Sequence, residues 1–160
     1  MDMDIKEFLK NTPAFGRLED AHLDRLVRVA SIRKVKAGEM VDVQGEPADK
    51  FYMLISGRVV VVLGLDFGVS KNSYIVTTIG QGQTFAWSGM VGNAQYTASG
   101  EARTDCVLLE FKVVDLNREF AADPELGLCV MRAVARTIAS RLRKMQLQLV
   151  KQYAIRESTE

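Results

Sequence analysis

The segments Val35-Lys-Ala-Gly-Glu-Met-Val41, Gln44-Gly-Glu-Pro-Ala-Asp-Lys-Phe-Tyr-Met-Leu54 and Ser56-Gly-Arg-Val-Val-Val61 decide the fold of this chain. Each segment joins a short apolar run to a turn that contains glycine. Short strands separated by such turns are typical of an all-β barrel or jelly roll. The sequence therefore predicts that the central part of the protein is built from β-strands.

The same pattern continues to Lys112. Residues 66–73 are interpreted as a turn-rich connection, and glycines at 80 and 82 break the chain again. The predicted strands in and after the opening segments are Phe51–Ile55, Arg58–Leu65, Tyr74–Ile79, Gln83–Phe85, Tyr96–Ala102 and Cys106–Lys112.

Helical patterns flank this β region on both sides. Residues 4–10 and 20–30 are predicted helices because their apolar residues recur every three or four positions. A short helix is predicted at 113–122, and Asp123-Pro124 then supplies a cap residue followed by proline in a first turn. The helix that starts there is predicted to reach about Arg156, a length of about 33 residues or about 50 Å.

The long helix carries an apolar stripe that a β-domain of this size would not cover along its whole length. A second copy of the same helix is the simplest cover, so a homodimer is predicted. A helix folded wholly onto its own barrel is the alternative. The predicted interface residues are Val130, Val134, Ile138, Leu142, Met145 and Leu149.

Composition excludes several classes of function. The chain has 160 residues, of which 48% are hydrophobic, and a net charge of +1, so nothing indicates a nucleic-acid or membrane partner. It contains no apolar run of about 18 residues and no signal-peptide pattern at its start, so a cytoplasmic protein is predicted. Cys106 and Cys129 are expected to be buried apolar residues and His22 a solvated one. No metal site, cofactor or catalytic set is predicted from these residues.

The opening segments resemble the cyclic-nucleotide-binding domain, the sensor half of the CRP/FNR regulators. The resemblance runs from about Phe15 through the long helix. It implies an eight-stranded jelly roll (a double-stranded β-helix) flanked by helices, with Gly38, Gly45 and Gly57 at turns of positive φ and the long helix as a dimer interface. Residues 1–30 are then the N-terminal helices, residues 31–112 the jelly roll, and residues 113–160 the C-terminal helices.

In this family a phosphate-binding cassette lies between two strands and reads Phe-Gly-Glu, then Leu, then Arg-Ser/Thr-Ala. Its glutamate accepts a hydrogen bond from the ribose, its arginine pairs with the cyclic phosphate, and a short helical turn presents backbone N–H groups. Laid on this sequence, the resemblance assigns the cassette to Phe85, Ala86 (for Gly), Trp87 (for Glu), Ser88, Gly89, Tyr96 (for Arg) and Thr97, with Thr137 on the long helix at the base-contacting position.

The two replaced anchors change the chemistry of this cassette. An indole donates a hydrogen bond but accepts none, and a tyrosine carries no charge near neutrality. Losing two charged hydrogen bonds, each worth about 1.5–3 kcal/mol, weakens binding by roughly a hundredfold to ten-thousandfold. No arginine or lysine lies between Lys71 and Arg103, so a cation would have to reach the cassette from the long helix, with Arg132 and Arg136 as the candidates.

Three functions follow from this reading. The first is a regulatory module that has changed its ligand, since an aromatic-lined pocket suits a flatter or less anionic effector than a cyclic nucleotide. The second is a dimerising scaffold that binds a protein and no small molecule. The third is an authentic cyclic-nucleotide sensor with unusual anchors. Direct DNA binding is not expected, because the sequence ends soon after the long helix and a helix-turn-helix would follow it in CRP/FNR regulators.

Overall fold

The protein is a two-sheet β roll with helices at both ends, as the sequence predicted. A computed structural model describes residues 3–66, 68 and 71–158. The strands are β1 (Ala30–Val35), β2 (Met40–Asp42), β3 (Lys50–Ser56), β4 (Val59–Asp66), β5 (Lys71–Ile79), β6 (Thr84–Phe85), β7 (Ser99–Ala102) and β8 (Cys106–Lys112). The helices are α1 (Ile5–Lys10), α2 (Asp20–Val29), α3 (Val113–Ala122) and α4 (Pro124–Glu157), with a 3₁₀ helix at Ser88–Val91.

The strands pair in antiparallel fashion in two four-stranded sheets, with the orders β1-β8-β3-β6 and β2-β7-β4-β5. Strand β3 shows why the sequence has a continuous apolar run at this point. Tyr52 and Leu54 lie in the core between the sheets, whereas Phe51 and Met53 lie in a second core beneath the helices. Because both faces of this strand are buried, hydrophobic residues do not alternate with polar ones.

The turn glycines have the predicted conformation. Gly38, Gly45 and Gly57 have φ values of +87°, +86° and +96°. At Gly57 a Cβ atom would also lie 2.5 Å from the carbonyl oxygen of Asp105. Any larger residue there would combine unfavourable backbone geometry with a steric clash, so this turn requires glycine.

Two strands begin three residues away from their predicted starts, whereas the other boundaries agree to within one residue. Strand β5 begins at Lys71 rather than Tyr74, because Asp66 and Lys71 still pair across the β4–β5 hairpin. This end of the hairpin extends past the core and is polar, so it lacks the apolar signal of a strand. Residues 67, 69 and 70 of the predicted connection lie outside the described residues. Strand β7 begins at Ser99 rather than Tyr96, because residues 92–98 complete the loop after the 3₁₀ helix.

His22 is buried, and the prediction of a solvated histidine is wrong. Only 6% of the residue is exposed, and its Nε2 lies 3.3 Å from Oδ2 of Asp123. Asp123 also caps α4 by accepting a hydrogen bond from the backbone N–H of Leu126 at 3.2 Å. The apolar face of α2 packs against the junction of α3 and α4, and it carries His22 into this contact.

Helix α4 is continuous over its 34 residues, but only its first part is covered. Val130 and Val134 are buried in the chain's own core, so they are not available for the predicted helix–helix interface. Ile138 is partly buried against the same core, whereas Leu142, Met145 and Leu149 are exposed. The predicted pairing with a second copy therefore rests on the later part of α4 alone.

The prediction of buried cysteines is confirmed for Cys106 but not for Cys129. Cys106 is buried in β8, and Cys129 is partly buried in α4.

In the described part of the chain, no helix combines the length and apolar character that crossing a bilayer requires.

Candidate ligand site

The loop after β6, which holds the predicted cassette residues, is a turn of positive φ followed by a short 3₁₀ helix. Ala86 has φ +60°, and it is the one non-glycine residue with positive φ among residues 3–66, 68 and 71–158. This conformation costs an alanine about 1 kcal/mol. Trp87 follows and caps the 3₁₀ helix, which ends at Gly92 with φ +87°. An alanine thus holds the conformation that a glycine would adopt without strain.

Phe85 and Gly89 fix this loop against the sheet. The ring of Phe85 is buried and stacks on Tyr52 with centroids 5.4 Å apart. At Gly89 a Cβ atom would lie 2.1 Å from the carbonyl oxygen of Ala48, so the 3₁₀ helix needs a residue without a side chain there. Both predicted residues therefore shape the loop.

Ser88 and Thr97 connect the two ends of the cassette. The backbone N–H of Thr97 donates to Oγ of Ser88 at 3.3 Å, and the two hydroxyl oxygens lie 3.4 Å apart. Only 4% of Ser88 is exposed. The polar groups of these two residues are thus used within the protein.

Tyr96 is a structural residue rather than a replacement for a charged anchor. Its hydroxyl donates to the carbonyl oxygen of Lys50 at 2.9 Å and accepts from the backbone N–H of Lys50 at 3.1 Å. Burial raises the pKa of Tyr96 to about 12, so the phenol stays neutral at physiological pH. The side chain locks the cassette loop to the start of β3.

A cation does enter the site from α4, and it is Arg141. The guanidinium carbon lies 4.7 Å from the ring centroid of Trp87, close enough for a cation–π contact. One terminal nitrogen, Nη2, donates to the carbonyl oxygen of Thr84. The candidates Arg132 and Arg136 are both exposed, so neither makes this contact. Burial lowers the pKa of Arg141 to about 10, which leaves it protonated at neutral pH.

Asp42 is a site residue that the sequence reasoning missed. It is 7% exposed, and its Oδ1 has no hydrogen-bond partner among the described residues. Burial raises the pKa of Asp42 to about 7, against smaller opposing effects of the Gly100 backbone and Arg33. The pairing of β2 with β7 shifts register between Met40 and Asp42. This irregularity explains why the adjacent residues Val41 and Asp42 are both buried.

Arg141 lines two separate cavities. The cassette itself encloses a cavity of only about 40 Å³ beside Asp42, Trp87 and Tyr96. A larger cleft of about 380 Å³ lies between α4, strands β5 and β6, and residues 13–17. Thr137 lines the larger cleft and not the cassette cavity, and its hydroxyl donates to the carbonyl oxygen of Ala133 at 3.1 Å. The structure therefore brings the predicted cassette residues together and places Thr137 in the neighbouring cleft.

Comparison with known proteins agrees with the fold. The family model described as "Cyclic nucleotide-binding domain" matches residues 32–123, more than half of the chain. The chain belongs to the cyclic nucleotide-binding domain family. A solved domain of that family from Methylobacillus flagellatus is 18% identical and superposes with a TM-score of 0.79, over 92% of this chain and 82% of that chain.

The chain is also similar to the N-terminal domain of one protein and to part of another, longer protein. The N-terminal domain of a transcriptional regulator from Streptomyces coelicolor is 26% identical with a TM-score of 0.66, over 86% of this chain and 94% of that chain. An uncharacterised NTE family protein of Mycobacterium tuberculosis is 27% identical over 135 residues, which are 84% of this chain and 22% of that protein. The chain thus spans about a fifth of the length of such a curated relative.

Most of the predicted cassette residues of this cyclic nucleotide-binding domain line one small cavity, together with Asp42 and Arg141. Arg141 lies one helical turn after Thr137, on the same face of α4, and this spacing is the signal that could have identified it. For Asp42 the signal was a carboxylate within a strand that is otherwise apolar.

Proposed function

We propose that this protein is a non-enzymatic regulatory module whose cassette does not bind cyclic AMP or cyclic GMP strongly. The observation that carries this proposal is the size of the cassette cavity, about 40 Å³. Small-molecule pockets usually measure about 300–1,000 Å³. The partly buried indole of Trp87 and the guanidinium of Arg141 lie together beside this space.

The hydrogen bonding of the cassette supports the same proposal. The hydroxyl of Tyr96 is engaged with Lys50, and the hydroxyl of Ser88 is engaged with Thr97. A nucleotide would have to displace these contacts without gaining a carboxylate at position 87 and a guanidinium at position 96, which would normally repay such a change. The relatives are mostly regulatory cyclic nucleotide-binding domains, which favours signalling over catalysis. The cytoplasmic location of the protein stays a prediction.

Calorimetric titration with cyclic AMP and cyclic GMP tests this function. We expect dissociation constants weaker than about 100 μM, because two charged hydrogen bonds are lost. Titration with 5′-AMP gives the background for a non-cyclic nucleotide. A dissociation constant of about 1 μM or tighter for either cyclic nucleotide would instead identify an authentic cyclic-nucleotide sensor.

We also propose that the protein forms a homodimer through the later part of α4, which suits a scaffold as well as a sensor. The supporting observation is a set of large apolar side chains left exposed where the helix extends beyond the core. They are Leu142, Met145, Leu149, Val150 and Tyr153. A matching helix from a second copy would cover this row.

Sedimentation measurements test the dimer. The double variant Leu142→Glu/Leu149→Glu is expected to sediment as a monomer at concentrations where the unmodified protein is a dimer, because four carboxylates would face one another. Val114→Glu on α3 is the matched control, since Val114 is equally apolar and 62% exposed outside the proposed interface. An unmodified protein that is monomeric at all concentrations would contradict the proposal.

A further inference from the structure

The larger cleft is lined by four cations and by no carboxylate. The residues Arg17, Arg136, Arg141 and Lys144 all contribute to its wall, and the lining contains neither Asp nor Glu. Arg17 comes from the segment before α2, and the other three come from successive turns of α4. Like charges gathered in one concave surface repel each other and attract an anion from solution.

These four cations differ from many of the other basic residues in the described part of the chain. Lys6 lies 2.8 Å from Asp24, Arg25 lies 3.0 Å from Glu119, and Lys50 lies 3.2 Å from Glu110. Among residues 3–66, 68 and 71–158, no such ion pair involves a cation of the cleft. The four cleft cations thus have no carboxylate partner among the described residues.

Arg141 adds a buried donor that the fold does not satisfy. Its Nη2 binds the carbonyl oxygen of Thr84, but its Nη1 is buried and has no partner among the described residues. An unpaired buried donor is costly, and the cost is greater for a charged group. The lowered pKa of Arg141 has the same origin in desolvation. An anion that reaches this guanidinium would supply the missing acceptor.

We propose that this cleft binds a small polyanion, a molecule that carries phosphate groups or several carboxylates. The volume of about 380 Å³ is in the usual range for a metabolite. Arg136 and Lys144 are exposed, so they can meet the ligand from solvent, and Thr78 and Ser140 line the same cleft. The inference rests on the proposed function, since it supplies the regulatory module with a ligand outside the cassette.

Arg141 connects this cleft to the cassette. Its guanidinium lines both spaces and lies over the ring of Trp87. An anion that draws the guanidinium toward the cleft would change the environment of that indole. Because Trp87 is the one tryptophan of the sequence, its fluorescence reports on the event directly.

The test is a titration of the full chain with inorganic pyrophosphate and, separately, with citrate at constant ionic strength. Heat and Trp87 fluorescence are followed together, and sodium chloride serves as the blank. We expect saturable binding of at least one probe, and the tighter probe distinguishes a phosphorylated ligand from a polycarboxylate. Arg136→Gln and Lys144→Gln are each expected to raise the dissociation constant by about tenfold or more. Arg141→Met is expected to abolish the fluorescence change.

Arg118→Gln is the matched control, because Arg118 is exposed on α3 and pairs with Asp115 at 3.2 Å, away from the cleft. Absence of saturable binding of both probes overturns the inference, and so does binding that the Arg136 and Lys144 variants leave unchanged. Binding of duplex DNA or anionic vesicles in place of the small probes also overturns it. If Arg141→Met does not fold, the two exposed positions still decide the outcome. The cyclic-nucleotide titration judges the cassette separately, so either proposal can fail alone.

Discussion

Replacement of Asp42 by asparagine is expected to raise the free energy of unfolding at pH 7.5 by about 4 kcal/mol. The carboxyl group is buried in the wall of the cassette, and its Oδ1 has no partner among the described residues. Above neutral pH the folded protein must hold this group as a buried charge. An asparagine has nearly the same shape and carries no charge, so it removes that cost.

The direction in which stability changes with pH follows from the different protonation of Asp42 in the folded and unfolded protein. Burial raises the pKa of Asp42 in the folded protein to about 7, whereas the ordinary value is 3.8. Between these values the folded state holds a proton that the unfolded state has released. The contribution to stability is therefore fully present below about pH 4, and it is lost as the pH rises through about 7. The unmodified protein becomes less stable across this interval, and the Asp42→Asn variant lacks this loss.

Urea unfolding at pH 4, 5.5 and 7.5, followed by tryptophan fluorescence, measures the difference between the two proteins. Asp105→Asn is the control. The exposed Asp105 accepts hydrogen bonds from the backbone of Ala37 and from Lys36, which lower its pKa, so most of its titration lies below the interval. Stability profiles that remain parallel for the unmodified protein and the Asp42 variant would show that this carboxyl is not protonated in the folded state.

The double variant Trp87→Glu/Tyr96→Arg is expected to bind cyclic AMP about a hundredfold more tightly than the unmodified protein. The first change removes an indole from the cassette and supplies a carboxylate for the ribose hydroxyl. The second supplies a forked cation for the cyclic phosphate. Two charged hydrogen bonds of about 1.5 kcal/mol each correspond to this factor. Calorimetry on both proteins gives the comparison.

Two further variants distinguish the effect of the added charges on cyclic AMP binding from the effect of the changed side-chain size. Trp87→Phe/Tyr96→Phe changes the size of the side chains without adding charged groups, and it is expected to leave the affinity for cyclic AMP nearly unchanged. Adding Arg141→Met to the charged pair removes the guanidinium that would otherwise neutralise the new carboxylate at position 87. An affinity that stays at the unmodified level in both charged variants would mean that the loop cannot open to admit a nucleotide.

The fold could be predicted because its determinants are local. Glycines with positive φ at 38, 45 and 57 are visible in the sequence as turns between apolar runs. The start of α4 is equally local, since Asp123 and Pro124 are adjacent. The cassette residues from Phe85 to Thr97 followed from the resemblance to the cyclic-nucleotide-binding domain, which these turns carry.

The missed features depend on contacts between distant parts of the chain. Arg141 reaches Thr84 only because α4 packs across the roll, so its spacing from Thr137 gives the helix face but not this contact. His22 is buried by its contact with Asp123, about a hundred residues later in the sequence. Asp42 was missed for another reason, since a local irregularity in β2 buries two adjacent residues where an alternating strand would bury one.

The unbroken course of α4 gives it the properties of a lever. The first part of the helix, through Val134, is fixed in the core. Arg141 lies beyond that part, and the helix continues from there to Glu157. The 16 residues after Arg141 span about 24 Å. A tilt of about 10° at Arg141 would therefore move the far end by about 4 Å, most of one helical turn. A small displacement of α4 at the cleft would therefore become a larger displacement at the C-terminal end of the helix, where another molecule could detect it.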